Sequence, residues 1–486
     1  MKRQTIVIAI LALILPMLVR GLWFYRGVPQ RSEIATPDYA SFERPQAPIN
    51  TPDLEDIEQM GGTVLIDGFH GNQFSLNEIE ALTSAIRARG GNVETVSDSL
   101  ALESLLKTAA AFVSVSPSIT FTQYETTLLE NFAERGGRIL VFTDATRNTL
   151  YFDYITGNPI AYGDANAANS LLKQFDIAVN NDYLYNTESN EGNFRNVLFD
   201  EFGKSELTFG LKEIAFYGSR SVGTDSGLLL LQGSKTNFSS LNDAHDPNAG
   251  GAALSADGNV AAFGDFTFLS APYSTYTDNA SLIQNLADFA LSGVQSKSLD
   301  LFPYIFTQKT VQVFVSPDVE KDPSLITALG GLQSSLRFLN LKLQFVDDIP
   351  SSGDAILIGS FDATEDFDNY LLKADVEIGD ESIDTVAFGE IGRFGNGLML
   401  FASGNKGNTL VLLAGSPEDI VSLIGVASYN SVSSCLTSET VAVCSVGSGD
   451  SYLYEETTDE FSDDSLTDSA DQSIEPELEV TPTPGG

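Results

Sequence analysis

Histidine and cysteine are nearly missing from this 486-residue chain, which holds two of each. Neither cysteine has a second Cys pair or a nearby histidine to complete four ligands, which excludes a zinc site of the usual spacing. Basic residues are scarce as well: 26 Lys+Arg stand against 66 Asp+Glu, a net charge of -40. Binding to phosphate backbones needs Lys and Arg, so no nucleic-acid partner is expected. The plain meaning of such acidity is a well-solvated surface; a specific cationic partner is the alternative. No G-x-S-x-G motif occurs, so there is no nucleophile elbow of the esterase type. No motif points to a cofactor.

What is present suits a globular protein. Hydrophobic residues make up 43% and aromatic residues 10%, and the length favours two folded domains. Residues 5–19 carry no charge; Arg20 follows, and then the cluster Leu22-Trp23-Phe24-Tyr25. With Arg20 snorkelling, residues 5–25 are long enough to cross a bilayer, with Trp23 and Tyr25 at the interface. The segment 1–26 is therefore expected to be an uncleaved signal anchor in the cell membrane, with the body outside the cytoplasm. No small-x-small cleavage site follows, although a cleaved signal remains the alternative. No cysteine lies near the apolar run, which excludes a lipoprotein anchor. Residues 27–60 hold five prolines and read as a linker. Residues 449–486 are acidic, lack Lys and Arg, and are expected to be disordered. Cys435 and Cys444 flank a possible hairpin; outside the cytoplasm they predict a disulfide, with two free thiols as the alternative.

The remainder predicts an α/β fold. In 61–294, apolar strand-like runs at 63–66, 110–115, 138–142 and 259–263 alternate with helices, which argues for a parallel sheet covered on both faces. Ser75 with Glu78, and Thr122 with Glu125, are capping boxes. Residues 175–258 read as an insertion, antiparallel in part. A second, smaller α/β domain is expected over 300–447, with Ser416-Pro417-Glu418-Asp419 as a strong helix start.

Polar residues end the predicted strands: Asp67, His70 and Asn72; Ser114 and Ser116; Thr143 and Asp144; Asp265. In a parallel sheet these can converge on one crevice at the carboxyl ends, the usual ligand position. Asp67, His70 and Asp265 are a possible metal or catalytic set, although such residues more often bond the backbone of their own turn. In the Asn-rich stretch, Asn180, Asp182, Asn190, Asn193 and Arg195 are candidate pocket residues, with Tyr183 and Tyr185 as stacking platforms for a sugar or peptide. The alternative is a loop whose Asn and Asp side chains bond their own backbone. Asp278 is expected as an N-cap, with Asp265 tied to it.

The segments VLIDGFHGNQFS, ERGGRILVFTDAT, NNDYLYN with NFRNV, and GDFTFL with DNASLIQNLADFAL resemble the class I glutamine amidotransferase-like superfamily. More narrowly, they resemble its membrane-associated DUF4350 and gliding-protein-G-like branch. The resemblance covers residues 61–291. It implies a catalytic Cys between glycines after the strand ending at Phe142. The turn here reads Thr143-Asp144-Ala145-Thr146, so amidotransferase activity is not expected. The resemblance implies a degenerate domain with a binding or accessory role, and association with a transport or envelope-assembly system. The alternatives are an envelope glycan or ester hydrolase using Asp67, His70 and Asp265, and a purely structural surface protein.

Overall fold

A computed structural model describes residues 2–26, 57–152, 157, 159–241, 250–429 and 432–447. Apart from residues 57–60, the expected linker lies outside the described residues, as does the expected disordered tail. The chain is mixed α/β and divides into two compact units, Met1–Ser296 and Lys297–Gly486.

Helix α1 (Lys2–Phe24) runs for 23 residues around Pro16. It is long and apolar enough to cross a membrane, and none of it is buried within the protein. At about 1.5 Å per residue it reaches beyond the roughly 30 Å of a hydrocarbon layer. A signal sequence meets the same criteria of length and composition.

The first unit is built on a seven-stranded sheet. Its strands are β1 (Thr63–Asp67), β2 (Asn92–Val96), β3 (Ala111–Val115), β4 (Arg138–Phe142), β5 (Leu228–Leu231), β6 (Ala252–Leu254) and β7 (Val260–Phe263). The order is β5-β6-β7-β4-β3-β1-β2. Strands β2, β1, β3, β4 and β7 are parallel, while β6 and β5 join antiparallel at one edge. Residues 228–231, expected within an insertion, thus form the outer edge of the main sheet.

Helices α2 (Glu80–Ala88) and α6 (Asn279–Leu291) cover one face; α3 (Ser99–Leu106), α4 (Gln123–Glu134) and α5 (Ala165–Leu172) cover the other. Strand alternation divides the core between them. Val64 and Ile66 pack with Leu82, Ile86, Leu282 and Leu286. Leu65, Phe112 and Ile139 pack with Leu102, Leu129, Phe132 and Leu171. This is why these strands read as unbroken apolar runs. Ser75 and Glu78 form their box at a 3-10 turn leading into α2, and Thr122 with Glu125 caps α4. Three short antiparallel pairs lie outside the main sheet in the region expected to be an insertion: Ile177–Val179 with Val222–Thr224, Leu184–Asn186 with Asn237–Ser239, and Asn196–Phe199 with Ile214–Tyr217.

The second unit repeats the plan. Its seven strands are β8 (Thr310–Val315), β9 (Lys342–Val346), β10 (Asp354–Ser360), β11 (Asn396–Ala402), β12 (Thr409–Ala414), β13 (Leu436–Thr437) and β14 (Val441–Ser445). They run in the order β9-β8-β10-β12-β11-β14-β13. Strands β9, β8, β10 and β12 are parallel; β11, β14 and β13 are antiparallel. Helices α7 (Pro323–Arg337) and α9 (Pro417–Ser428) pack on one face, and the short α8 (Asp368–Lys373) on the other. Ser416 caps α9 by accepting from the Asp419 N–H at 3.1 Å. A disulfide joins Cys435 to Cys444 across the β13–β14 hairpin. The segments FVSVSPS at 112–118 and VFVSPD at 313–318 look alike in sequence but are not topological equivalents: Ser116 follows β3, the third strand of its unit, and Ser316 follows β8, the first of its unit.

Candidate functional site

Strands β1, β3, β4 and β7 lie side by side, so their carboxyl ends share one edge of the sheet. The polar residues there fall into two clusters rather than one crevice. Neighbouring strands are about 4.8 Å apart, which sets β1 and β7 roughly 14 Å from each other. Asp67 and Asp265 sit at opposite ends of that row.

The first cluster centres on Asp67, which is fully buried at the end of β1. One carboxylate oxygen accepts from His70 Nδ1 at 2.9 Å and from the Phe69 N–H at 3.3 Å. The other accepts from Ser114 Oγ at 2.7 Å and from Asn72 Nδ2 at 3.1 Å. Asn72 also donates to the Val115 carbonyl and accepts from the His70 N–H. The His70 ring is stacked on Phe121, with centroids 3.7 Å apart, and is only 2% exposed. Its Nε2 faces Glu125 Oε2 at 3.4 Å. Burial alone would raise the Glu125 carboxyl, but hydrogen bonds from Ser99 and Thr122 and the nearby His70 ring hold it down at about 2. His70 thus bridges the β1 turn to the cap of α4.

The second cluster spans β3, β4, β7 and the start of α5. Ser116 sits at the end of β3 with a φ of 43°, an uncommon left-handed backbone for serine. Its Oγ donates to Asp164 Oδ2 at 2.7 Å. The same oxygen accepts from the Asp144 N–H at 2.7 Å, and Oδ1 accepts from Arg220 Nε at 2.7 Å. Arg220 is 2% exposed; its Nη1 reaches Asn181 at 2.9 Å, while its Nη2 has no partner. Thr143 donates its Oγ to the Phe263 carbonyl at 3.1 Å. Asp144 accepts from Thr146 N, Thr146 Oγ and Thr267 Oγ. Asp265 accepts from Tyr217 N and Thr267 N, each at 2.9 Å. Thr267 therefore bridges the two carboxyls. Ser116, Thr143, Asp144, Asp164, Arg220 and Asp265 are buried, whereas Thr267 is half-buried and Thr146 is exposed.

Burial raises the Asp164 carboxyl, with Arg220 opposing; burial likewise raises Asp144. Asp265 is pushed well above the usual range by burial and by the Asp144 charge. Folding therefore takes up protons here, and the stability this contributes is present at low pH and lost as pH rises through the raised values. Replacing Asp144 with asparagine removes the like charge while keeping an oxygen for Thr146. Asp144→Asn is expected to stabilise the protein at pH 8 by about 1 kcal/mol, one pKa unit's worth, and to have little effect at pH 4. Thermal melting at both pH values checks this; an equal gain at each would refute the paired-carboxyl account.

Asp67 and His70 come together, but Asp265 takes its hydrogen bonds elsewhere, so the three do not assemble as a metal or hydrolytic set. Among the described residues, no group of three or more His, Cys, Asp and Glu is arranged to hold a metal ion. Asp182, expected to face a pocket, instead ties loops together by accepting from Ser221 N at 2.8 Å and from Ser221 Oγ and Ser239 Oγ. Asn190 donates to the Asn186 carbonyl, and Asn193 accepts from the Arg195 N–H. These are local backbone bonds of the kind such residues favour. The Asn180 side chain bonds Ser221 Oγ. Arg195 is exposed and lies over the Tyr183 ring, 4.2 Å from its centroid. Asp278 does not cap α6 with its side chain; Asp278 Oδ2 accepts from Lys212 N and Glu213 N instead. Asp265 has no part in that contact. Asp164 and Arg220 were not legible as site residues: they are 56 positions apart, and the one local cue is an arginine between two serines beside a strand.

No family model matches the chain, and no curated protein matches it. Among solved structures it is similar to the mmIFT52 N-terminal domain, at 18% identity and a TM-score of 0.38, covering 48% of this chain and 98% of that one. It is also similar to a ThuA-like protein from Bacteroides uniformis ATCC 8492, at 11% identity and a TM-score of 0.31, covering 50% and 95%. PurLQS from Thermotoga maritima matches at 10% identity and a TM-score of 0.27, covering 47% and 97%. Scores this low assign neither family nor function.

Proposed function

We propose that this chain is a membrane-anchored binding or accessory protein with its body outside the cytoplasm, and that its first unit is an amidotransferase-like domain without a nucleophile. The observation that carries the reading is the end of β4. Where the resemblance calls for an accessible thiol, Thr143 and Asp144 stand buried, with their hydrogen bonds satisfied inside the fold. A carboxylate and a hydroxyl committed in this way support a structural seam, and the chain's ligand is then met on other surfaces. The two cysteines lie in the other unit as a disulfide, which suits an oxidising compartment. The partner is a protein or envelope ligand, in keeping with an accessory part in a transport or envelope-assembly system.

The full chain, expressed in a bacterial host and left in its membranes, tests this. Alkylation before and after reduction should show Cys435 and Cys444 blocked until reductant is added. Protease applied outside intact spheroplasts should digest the body. Free thiols together with a protected body would overturn the proposed placement. Glutamine-dependent ammonia release by the purified protein would overturn the loss of catalysis.

A further inference from the structure

The second unit carries a small antiparallel sheet beside α8, with strands Val376–Ile378, Ser382–Thr385 and Gly389–Gly392 in that order. An open groove of about 800 Å³ runs between this sheet and α8. Its apolar lining includes Leu371, Val376 and Ile378, flanked by Leu372 at 77% exposure and Val386 at 84%. Exposed large side chains occur singly elsewhere on the surface; here two of them line the same groove.

The register adds a second observation. Glu377 pairs directly with Asp384, and Asp384 directly with Glu390. Directly opposed residues share a face, with Cβ atoms about 5 Å apart, and like charges there are destabilising. The three carboxylates form one row across three strands, and all are exposed. Among the described residues none of them has a cationic partner or a hydrogen bond. Asp368 and Asp375 extend the acidic lining, and no Lys or Arg lines the groove. A row that the fold itself leaves repulsive, two of whose members, Glu377 and Asp384, line the groove with the exposed Leu372 and Val386, complements a segment carrying alternate cations and apolar anchors.

We infer that this groove docks a basic amphipathic segment of a partner protein, with its Lys or Arg side chains over Glu377, Asp384 and Glu390 and its apolar side chains between Leu372 and Val386. The docking is independent of the strand-end clusters in the first unit. It accounts for acidity here as recognition, whereas elsewhere on the surface acidity means only solvation.

The test uses the full chain in detergent micelles and a fluorescein-labelled twelve-residue peptide of alternating Lys and Leu. Peptides with Glu for Lys, or Ser for Leu, serve as comparisons. Exposed charge pairs are individually weak but three act together here, so neutralising the row with Glu377→Gln, Asp384→Asn and Glu390→Gln is expected to weaken the Lys/Leu peptide about tenfold at low salt. That difference should vanish at 1 M salt, where the Debye length is about 3 Å. Leu372→Ser with Val386→Ser should weaken it at either salt. All five positions face solvent or are turned toward it, so folding should be retained, and melting curves verify this. A control triple, Asp347→Asn, Asp348→Asn and Glu439→Gln, removes the same charge elsewhere. Equal weakening by the control, equal binding of the Lys/Ser peptide, or unchanged binding after neutralising the row would each overturn the inference. The first two outcomes would mark the surface as merely acidic.

Discussion

Replacing Arg220 with methionine is expected to destabilise the first unit by about 3–5 kcal/mol, the cost of breaking a buried ion pair by removing one partner. Asp164 would keep its bonds to Ser116 Oγ and the Asp144 N–H but lose the Arg220 guanidinium against it. It would then be a buried carboxylate that must either stay charged without compensation or take a proton. Either course is felt at β3 and β4, which Asp164 links. Adding Asp164→Asn removes the charge and keeps an oxygen for both donors, so the double variant should recover roughly half of the loss. Urea unfolding of the detergent-solubilised chain, followed by circular dichroism, measures both. An Arg220→Met transition within about 1 kcal/mol of the parent would mean that the pair is dispensable, consistent with the guanidinium's one unpartnered nitrogen.

The second large effect is expected at Gly264, between β7 and Asp265. Its N–H donates to the Gly251 carbonyl, and its own carbonyl accepts from the Arg220 N–H. A Cβ at this position would overlap the Arg220 carbonyl oxygen and crowd Ser219 Oγ at 2.6 Å. Backbone cannot swing aside as a side-chain tip can. Gly264→Ala is therefore expected to cost about 3 kcal/mol, the upper end of overpacking penalties, and to shift Asp265 and the Arg220 loop together. As a contrast, Gly330 in α7 has open space at its Cβ position, and Gly330→Ala should gain about 0.5–1 kcal/mol through helix propensity. Melting of both variants decides the point; a neutral Gly264→Ala would show that the strand end yields where the packing says it should not.

These two residues mark where reading the sequence stopped. The central strands were plain in the sequence because both faces are covered, so Val64-Leu65-Ile66 and Ile139-Leu140-Val141 have no polar alternation to obscure them. Edge strand β2 was not, because Asn92-Val93-Glu94-Thr95 is mostly exposed and looks like loop. Capping boxes at Ser75 and Thr122 were legible because their two partners are three residues apart. The Asp164–Arg220 pair depends on the approach of α5 to the loop after Tyr217, which no local pattern encodes. Asp182 carried the right residue type in a suggestive stretch, and its role was decided by Ser221 and Ser239, which arrive from elsewhere in the chain. Composition spoke first for a well-solvated surface, with a cationic partner as the alternative; the proposed docking place depends on the register of three short strands, which composition does not carry.

The hairpin stapled by Cys435 and Cys444 has a bearing on how the second unit avoids its own kind. A sheet whose outermost rung offers free amide and carbonyl groups invites a neighbour's backbone to extend it. Here that rung is β13, two residues long and bolted to the strand within. It is too short to seat a stranger's chain and cannot peel back to uncover the longer strand behind it, so on that side the sheet is closed to growth by something much smaller than a covering helix.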